Sequence, residues 1–385
     1  MKQVYIASDN IITSLGFSTK ENCAQIKEGV VGLKIIDDIT LSPVPFYASQ
    51  INSEKLDARF EKIEHPEHYT RFEKLAILSI SDALSKTNID VTSDKTIFIL
   101  STTKGNIDIL SNNGLSKFGE RRLYLWEIAK LLQWFFTSPN TPNVVSNACV
   151  SGVLAIIIGS RLIRSGQYEN AVVTGGDILS KFVVSGFQSL QALSGSPCRP
   201  FDKSRDGLSL GEGCGTVILT SNEKVVNESN PVVVGGGFSS NDANHISGPS
   251  RTGEGLLLAI QKTLNDPLSA AAGEVSYVSA HGTATPYNDE MESIALSRAG
   301  LEQVPVNSMK GYWGHTLGAA GVIESISSIY SLKNNVLFKT AGFKELGVTN
   351  KINIIEKTEE KKLNTCLKIA SGFGGCNTGV LFYKT

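Results

Sequence analysis

The part of the chain that most constrains its fold is residues 142–166, PNVVSNACVSGVLAIIIGSRLIRSG. Residues 143–146 predict a short buried strand, and the apolar residues 153–163 predict a helix that ends near Gly166. Cys149 lies between them, and the dipole at a helix N-terminus favours a thiolate over a thiol. A strand–turn–helix junction also exposes a nucleophile to its substrate. Because a lone cysteine is more often a small buried apolar side chain, this interpretation depends on the residues that accompany it.

Apolar strands alternate with amphipathic helices along the rest of the chain. Residues 71–86 predict a helix with a broad apolar face, and residues 96–100 predict a strand inside a parallel sheet. Residues 30–65 show no regular pattern. Residues 102–141 form a long connection with a helix at 123–136, whose aromatic side chains suit an interface as well as a core.

After a polar segment at residues 221–230, the order of elements starts again. A strand opens this second part as one opens the first, and a helix at 317–332 corresponds to the helix behind Cys149. Small residues crowd the start of both helices, as expected where two helix N-termini approach a common site. We therefore expect a duplicated α/β unit, residues 1–225 and 226–385, with the two halves packed face to face.

Length and composition set limits on the function. The chain has 385 residues, of which 41% are apolar, so it can form two domains or one duplicated domain. Its net charge of −1 gives no global indication of a nucleic-acid or membrane partner. The six cysteines are scattered without a CxxC pair, which argues against a metal or disulfide framework and favours a reducing compartment. No apolar run approaches the roughly eighteen residues of a membrane span, so we expect a cytoplasmic protein.

Two of the five histidines have unusual surroundings. His281 follows a strand in SAHGTATPYND, where ligand-contacting groups collect in α/β folds. His315 opens a helix in KGYWGHTLGAAG, where the dipole favours a neutral ring that can donate to an oxyanion. Either ring alone could equally be a core histidine bonded to a backbone carbonyl. The other three lie in polar, irregular segments and carry no comparable signal: His65, His68 and His245.

A glycine-rich segment, SGFGGCNTG at residues 371–379, separates the last two predicted strands. Its glycines permit positive φ and close approach of the backbone to a substrate, although a tight β-turn would need them too. One cysteine at a strand–helix turn, two histidines beside glycines and this turn together make a stronger signal than any one of them.

These segments resemble the β-ketoacyl-acyl-carrier-protein synthases, condensing enzymes of the thiolase superfamily, and specifically the Cys-His-His site of the elongating members. The resemblance covers nearly the whole chain and rests on Cys149, RPFD with Asp206-Gly and Gly211-Glu-Gly, HGTATPYND, K-x-x-x-G-H-x-x-G-A-A-G and GFGG. It implies a thiolase-like fold of duplicated α/β halves, layered α/β/α/β/α. The implied reaction is a decarboxylative Claisen condensation of an acyl thioester with malonyl-acyl-carrier protein, which gives a 3-oxoacyl-acyl-carrier protein.

The resemblance also implies a role for each matching residue. Cys149 would hold the acyl group as a thioester, and His281 and His315 would donate hydrogen bonds to the thioester carbonyl of the malonyl group. The enolate left by decarboxylation would then attack the acyl carbon. The backbone N–H groups of Cys149 and Phe373 would hold the oxyanion, and Phe373 would gate the acyl pocket.

Further residues would support these groups. Lys310, with Glu324, would orient the surroundings of the second histidine. Thr283 and Thr285 would bind the phosphopantetheine arm, unless they only cap the next helix. Gly374 belongs to the expected substrate-binding turn. The nearby acids Asp289 and Glu292 are interpreted as first-turn helix acids, and no metal or cofactor is implied, because phosphopantetheine arrives on the carrier protein.

The chain departs from the family's usual pattern at several places. Val150-Ser151 follow the cysteine where smaller or hydroxyl residues are usual, which predicts a reshaped acyl pocket. Tyr312 and Trp313 are bulky and predict a narrowed pantetheine entrance or a contact with the carrier protein. Cys376 replaces a threonine; a thiolase would place a catalytic cysteine in this turn, but we interpret Cys376 as a buried, non-catalytic thiol. Residues 102–141 are shorter than usual, which leaves the dimer contacts open.

The expected partners are an acidic acyl carrier protein and a second synthase-like chain, in a homodimer or a heterodimer. Lys203 and Arg205 would belong to a basic patch for the carrier protein, or else to an internal salt-bridged turn. Two alternative functions remain. One is a partner subunit resembling chain-length factors, with little activity of its own, and the other is a thiolase that acts on coenzyme A esters.

Overall fold

The computed structural model describes residues 2–111, 113–226 and 230–385. In these ranges the α-helices are α1 (Thr19–Lys27), α2 (Ser53–Phe60), α3 (Arg71–Leu84), α4 (Gly114–Phe118), α5 (Leu125–Phe135), α6 (Ser151–Arg164), α7 (Lys181–Ser189), α8 (Glu254–Leu264), α9 (Pro286–Arg298), α10 (Lys310–Trp313) and α11 (Ala320–Asn334). The strands are β1 (Tyr5–Ile12), β2 (Lys34–Ile36), β3 (Phe46–Ser49), β4 (Thr96–Ser101), β5 (Asn143–Val145), β6 (Asn170–Asp177), β7 (Leu210–Gly211), β8 (Gly213–Thr220), β9 (Val232–Asn241), β10 (Tyr277–Ser279), β11 (Pro305–Asn307), β12 (Val336–Leu337), β13 (Asn353–Ile354), β14 (Glu359–Glu360), β15 (Thr365–Gly372) and β16 (Cys376–Lys384).

The strand order of the first half repeats in the second. One half has the order β5-β4-β6-β8-β1 and the other has β11-β10-β15-β16-β9. The directions repeat too, since β4 is parallel to both β5 and β6, as β10 is to both β11 and β15. The remaining pairs in each half are antiparallel. The predicted duplication is therefore confirmed at the level of topology, and the two sheets meet where β1 pairs with β9.

Helices α6 and α11 lie against each other between the two sheets. Their backbones approach so closely that a Cβ atom on Gly152 would lie 2.5 Å from the backbone nitrogen of Val322. A Cβ atom on Gly321 would lie 2.4 Å from the backbone nitrogen of Val153. Outside the sheets, α3 packs on β8 and β1, and α8 packs on β9 and β16. This is the expected α/β/α/β/α layering, and it brings the N-terminal ends of α6 and α11 together.

Helix α3 shows why the local sequence signals succeeded. Thr70 caps it, and Glu73 completes a capping box with the Thr70 backbone. Its buried face includes Phe72, Leu75 and Ile80, in agreement with the predicted helical periodicity.

Other predictions need correction. Residues 30–65 are not irregular, because they contain α2 and a small sheet in which β3 pairs with β2 and β7. Strand β5 is largely exposed rather than buried, with only Val145 buried, because it forms the edge of the large sheet in this chain. Part of the predicted polar segment, residues 227–229, lies outside the described residues. Among the helices of the described ranges, none has the length and apolar character needed to cross a membrane.

Candidate active site

The turn that presents Cys149 is held in an uncommon backbone conformation. Ala148 has φ +44° although it is not glycine, and Cys149 follows it, two residues before α6 begins. The Ser151 hydroxyl group accepts from the Asn147 N–H at 2.7 Å and donates to the Ala148 carbonyl at 2.6 Å. These bonds close the turn and direct the cysteine toward the second half.

The second half supplies both histidines to the same place. The Nε2 atom of His315 lies 3.0 Å from the Cys149 Sγ, and the rings of His281 and His315 have centroids 5.1 Å apart. One ring atom from each histidine and the sulfur all lie within 4.8 Å of one another. The convergence predicted from the sequence is therefore confirmed, with all three side chains buried.

The neighbours of the two rings determine which nitrogen carries the proton. The Leu317 N–H points at Nδ1 of His315 at 3.3 Å, and the Lys310 ammonium lies 3.2 Å from Nδ1 of His281. Because an amide N–H and an ammonium group can only donate, both Nδ1 atoms must be acceptors. A neutral imidazole then has its proton on Nε2, so both rings direct an N–H toward the space beside the sulfur.

Both rings are neutral near pH 7. Burial lowers the pKa of His281 and that of His315 well below 6.5, and the positive charge of Lys310 lowers each of them further. The helix dipole was expected to keep His315 neutral; a 3-10 turn at Leu317–Ala319 follows His315 and leads into α11, and desolvation and the lysine charge favour the neutral ring as well.

The expected thiolate is not favoured in the resting site. Burial raises the pKa of the Cys149 thiol to about 11, while the charge of Lys310 and the Phe373 N–H act in the opposite direction. Cys149 lies before α6 rather than in its first turn, and burial removes the water that would stabilise a thiolate. The prediction of a dipole-stabilised thiolate was therefore wrong for the free protein.

A buried charge cluster lies behind the histidines. The Lys310 Nζ donates to the carbonyl oxygen of His281 and to Glu324, each at 2.6 Å, and Lys368 forms an ion pair with Glu324 at 2.7 Å. Lys310 was expected to serve the second histidine, but its ammonium group contacts the ring and the carbonyl oxygen of the first. Lys368 was missed, because a lysine inside an apolar strand gives no sign of its partner.

Two buried carboxylates brace the loop that carries His281. Glu292 accepts from the backbone N–H groups of His281 and Gly282 at 2.7 and 2.6 Å. Asp289 accepts from the N–H of Thr283 at 3.0 Å. Burial raises the pKa of Asp289 to about 6 and that of Glu292 to about 7. Asp289 lies in the first turn of α9, as interpreted from the sequence, whereas Glu292 lies beyond that turn. No local signal indicated that both carboxylates would bind the backbone of the His281 loop.

A cavity of about 490 Å³ opens from this trio to the surface. Thr283 and Thr285 line it, and their hydroxyl oxygens lie 2.9 Å apart. Thr285 precedes α9, yet within the described residues its side chain makes no capping hydrogen bond, so the capping alternative loses support. Phe373 also lines the cavity and stacks on Phe187, with ring centroids 5.9 Å apart.

Some expected residues lie elsewhere, and one unexpected residue lies here. Gly374 is in the turn behind Phe373, where its N–H donates to Ile246 and its carbonyl accepts from Asn241, both at 2.8 Å. Glu324 lies behind the histidines with its lysine partners. His245, which the sequence did not distinguish, lines the cavity, and its Nδ1 accepts backbone N–H groups of its own loop.

The unusual residues behave differently from expectation. Tyr312 and Trp313 are completely buried, so they neither narrow the entrance nor reach a carrier protein. Cys376 is half-exposed rather than buried, and its thiol donates to the Asn147 side chain at 3.0 Å. Lys203 pairs with Glu345 at 2.8 Å, and Arg205 donates to the Asp202 carbonyl at 3.1 Å, which agrees with the internal turn rather than the basic patch.

The trio is also the place where a metal ion would fit by distance alone. Its thiol and two imidazoles are ligands that suit zinc. However, the ring nitrogens that face the sulfur carry protons, and the charges of Lys310 and Lys368 oppose a cation. The site is therefore arranged to donate hydrogen bonds to an anion.

Profiles of known families match both halves of the chain. The β-ketoacyl synthase N-terminal domain matches residues 2–225, and the β-ketoacyl synthase C-terminal domain matches residues 231–344. The chain is 35% identical to 3-oxoacyl-[acyl-carrier-protein] synthase 2 of Vibrio cholerae over 263 residues, 63% of this chain and 62% of that protein. It is 26% identical to the enzyme of the same name from Staphylococcus aureus over 413 residues, 100% and 98% of the two chains.

Solved structures agree on the fold. A β-ketoacyl synthase from Burkholderia phymatum superposes with a TM-score of 0.87 at 24% identity, over 100% of both chains. A ketosynthase of Xenorhabdus doucetiae in complex with its chain length factor gives 0.80 at 24% identity, over 100% of this chain and 98% of that one. A ketosynthase in complex with a type II polyketide acyl carrier protein gives 0.83 at 20% identity, over 99% of each chain.

The fold and the trio of cysteine and two neutral histidines place this chain in the thiolase superfamily. Within that superfamily the matched domains are decisive, because together they span most of the chain. The chain belongs to the β-ketoacyl synthase family.

Proposed function

We propose that this synthase condenses an acyl group held on Cys149 with the malonyl group of a malonyl-acyl-carrier protein, with loss of carbon dioxide. The product is a 3-oxoacyl-acyl-carrier protein. The observation that carries this proposal is the convergence of one sulfur and two Nε2–H donors on one buried space. Such a set combines a covalent nucleophile with donors aimed at developing negative charge.

The first step is thioester exchange. The Cys149 sulfur attacks the acyl carbon of the incoming thioester, and the carrier's thiol leaves with the proton of the Cys149 thiol. The backbone N–H groups of Cys149 and Phe373 are the proposed oxyanion donors, and the Phe373 N–H already lies against the sulfur. Since the pKa of this thiol is raised to about 11, deprotonation has to accompany the attack rather than precede it.

The second step makes the carbon–carbon bond. The carboxylate of the malonyl group leaves as carbon dioxide, and its bonding electrons form an enolate whose oxygen accepts from Nε2–H of His281 and of His315. The enolate carbon then attacks the acyl carbon, and Cys149 leaves as a thiolate that takes up a proton. Neutral rings suit this task, because they stabilise the anion without protonating it prematurely.

The other site residues have supporting roles in this proposal. Thr283 and Thr285 bind the phosphopantetheine arm, and Phe373 gates the acyl pocket. Lys310 orients His281, and Glu324 holds Lys310 rather than touching substrate. Gly374 acts through the turn that carries Phe373, which fits its bonds to the neighbouring loop.

A carrier protein and a second synthase-like chain are the proposed partners. One structural neighbour was solved with an acyl carrier protein and another with a chain length factor. In this chain, α5 contacts the edge strand β5 and exposes Trp126 and Trp134, and an unpaired edge strand is normally covered. We therefore propose dimerisation through β5 and α5.

We also propose that the chain divides into two domains, residues 1–225 and 226–385. Its six free thiols suit a cytoplasmic location, which we propose as well.

The intact trio argues against a subunit resembling chain-length factors, which would need no nucleophile. A thiolase would use a second cysteine beside the first. Cys376, the candidate, instead bonds to the side chains of Asn147 and Asn241, and it does not line the cavity beside Cys149.

Mass spectrometry of Cys149 tests the proposal. Incubation with an acyl-carrier protein should add one acyl group to Cys149, and malonyl-carrier protein should then remove it as a 3-oxoacyl product. The Cys149→Ala control should accept no acyl group. Acylation without condensation would favour the partner-subunit function, and acylation by acyl-coenzyme A alone would favour a thiolase.

A further inference from the structure

The hydrogen-bond registers of the two sheets put residues of the two halves in correspondence. Strand β6 pairs with β8 from Asn170 to Asp177, and β15 pairs with β16 over the same eight positions, so Asp177 occupies the place of Gly372. The register of β4 with β6 matches that of β10 with β15. When this match is continued past the end of β10, Ser101 corresponds to His281.

The two central helices extend this correspondence. Gly152 of α6 and Gly321 of α11 are the residues at which the helices cross. Counting back three residues from each gives Cys149 in one half and Gly318 in the other. Gly318 therefore lies where a second copy of the active site would have its nucleophile.

A hydrogen-bonded cluster that we call the Asp177 clamp (Ser101, Asp177 and Gly318) occupies this second copy. The Gly318 N–H donates to Asp177 Oδ2 at 2.7 Å, and the Ser101 hydroxyl donates to the Gly318 carbonyl at 3.2 Å. Asp177 is buried and also accepts from the Thr102 hydroxyl at 2.8 Å and the Thr103 N–H at 3.0 Å. Both backbone polar groups of Gly318 are thus held by the first half.

The clamp lies one residue from the group that sets the tautomer of His315. Leu317 precedes Gly318, has φ +52°, and directs its N–H at Nδ1 of His315. A non-glycine residue keeps such a conformation only where its surroundings fix it. Here the fixed neighbour is Gly318, which two strand ends of the first half hold in place.

We propose that Asp177 is a positioning residue that holds the turn at 316–318 so that His315 keeps its Nε2–H directed at Cys149. The catalytic consequence rests on the proposed function, whereas the consequence for the tautomer does not. Both carboxylate oxygens face backbone groups that can only donate: Oδ1 faces the Lys104 N–H at 3.2 Å, and Oδ2 faces the Gly318 N–H at 2.7 Å. An amide would have to turn its NH₂ group toward one of them, so asparagine cannot replace the carboxylate.

The test compares Asp177→Asn with Thr174→Val. Thr174 is buried on the same strand and bonds to the Thr216 hydroxyl, away from the His315 turn, so its loss costs stability alone. In Asp177→Asn we expect decarboxylation of malonyl-carrier protein to slow by roughly 10- to 100-fold, as misplaced catalytic groups do, with less change in Cys149 acylation. Nitrogen NMR of labelled histidine should show His315 losing its pure Nε2–H form, and Thr174→Val should retain both properties.

Two results would overturn the proposal. One is an Asp177→Asn protein with unchanged decarboxylation and an unchanged His315 tautomer, and the other is an equal loss in Thr174→Val. If Asp177→Asn does not fold, Ser101→Ala, which frees the Gly318 carbonyl, gives the same readouts in a milder form. If the wild-type protein fails to decarboxylate, the proposed function fails, while the NMR comparison still decides the role of Asp177.

Discussion

The equivalent junctions before α6 and α11 differ in which of two neighbouring residues has a side chain. At the first junction Cys149 has a side chain and its neighbour Gly372 has none. The two backbones lie close together, since a Cβ atom on Gly372 would lie 3.0 Å from the Cys149 nitrogen. At the second junction Gly318 has no side chain and Asp177 fills the space beside it. One copy is therefore an open site and the other is a packed contact between the halves.

The two junctions share their backbone strain. Ala148 and Leu317 occupy equivalent positions with φ of +44° and +52°. Since only the first junction carries the nucleophile, the left-handed residue is a requirement of the fold, which must turn sharply into two helices that cross at glycines. The duplicated fold has two such turns. We infer that one presents the nucleophile Cys149 and that the other positions His315 beside it.

The largest effect should come from removing either of the two imidazole donors that the second half directs at the nucleophile of the first half. In His281→Ala and in His315→Ala we expect decarboxylation to fall by roughly 10²- to 10³-fold, the usual cost of one lost oxyanion donor, while Cys149 is still acylated. Release of labelled carbon dioxide and the mass of Cys149 measure the two steps. His245→Ala is the matched control, because His245 lines the same cavity but bonds to its own loop. Unimpaired decarboxylation in both histidine variants would contradict the assigned roles.

Much of this architecture could be predicted from the sequence. The order of strands and helices indicated the duplication, and small residues marked both helix starts. Cys149, His281 and His315 were found because each lies among glycines or small residues at the end of an element. Such junctions have local signatures, since the backbone needs special residues to make them.

Contacts between distant residues could not be predicted in this way. Asp177 and Lys368 owe their importance to partners far away in sequence, and a single carboxylate or ammonium group gives no local sign of burial. The raised pKa of Cys149 also depends on packing from both halves, so the dipole argument alone gave the wrong direction. The burial of strand β5 was predicted wrongly, because an apolar sequence does not show whether a strand lies at the edge or in the centre of a sheet.

A smaller effect should follow from Lys310→Met, which removes the positive charge beside His281 in the active site. The lysine's charge lowers the pKa of His281, so its removal should raise that pKa and bring the acid limb of the decarboxylation profile upward from well below pH 6.5. Below its pKa the ring becomes a cation that burial still disfavours, so we expect a loss of decarboxylation that is smallest at pH 8 and grows as the pH falls below 6.5. Lys368→Met is the comparison variant, because the charge of Lys368 lowers the pKa of His281 less than that of Lys310 does, so its profile should move less. A profile that does not move in Lys310→Met would show that the charge of Lys310 is irrelevant to His281.

The smallest effects should come from adding one methyl group to each copy. In Gly318→Ala the new Cβ would lie 2.8 Å from Asp177 Oδ2 and 2.9 Å from the backbone of Thr102, and we expect overpacking to cost about 1–3 kcal/mol of unfolding free energy. In Gly372→Ala the nearest atom is the Cys149 nitrogen at 3.0 Å, beside an open cavity that can absorb a small shift. Denaturant unfolding should therefore rank Gly318→Ala as the less stable variant, whereas Cys149 acylation should slow more in Gly372→Ala. The reverse order in both measurements would mean that the second copy, not the first, has the room for chemistry.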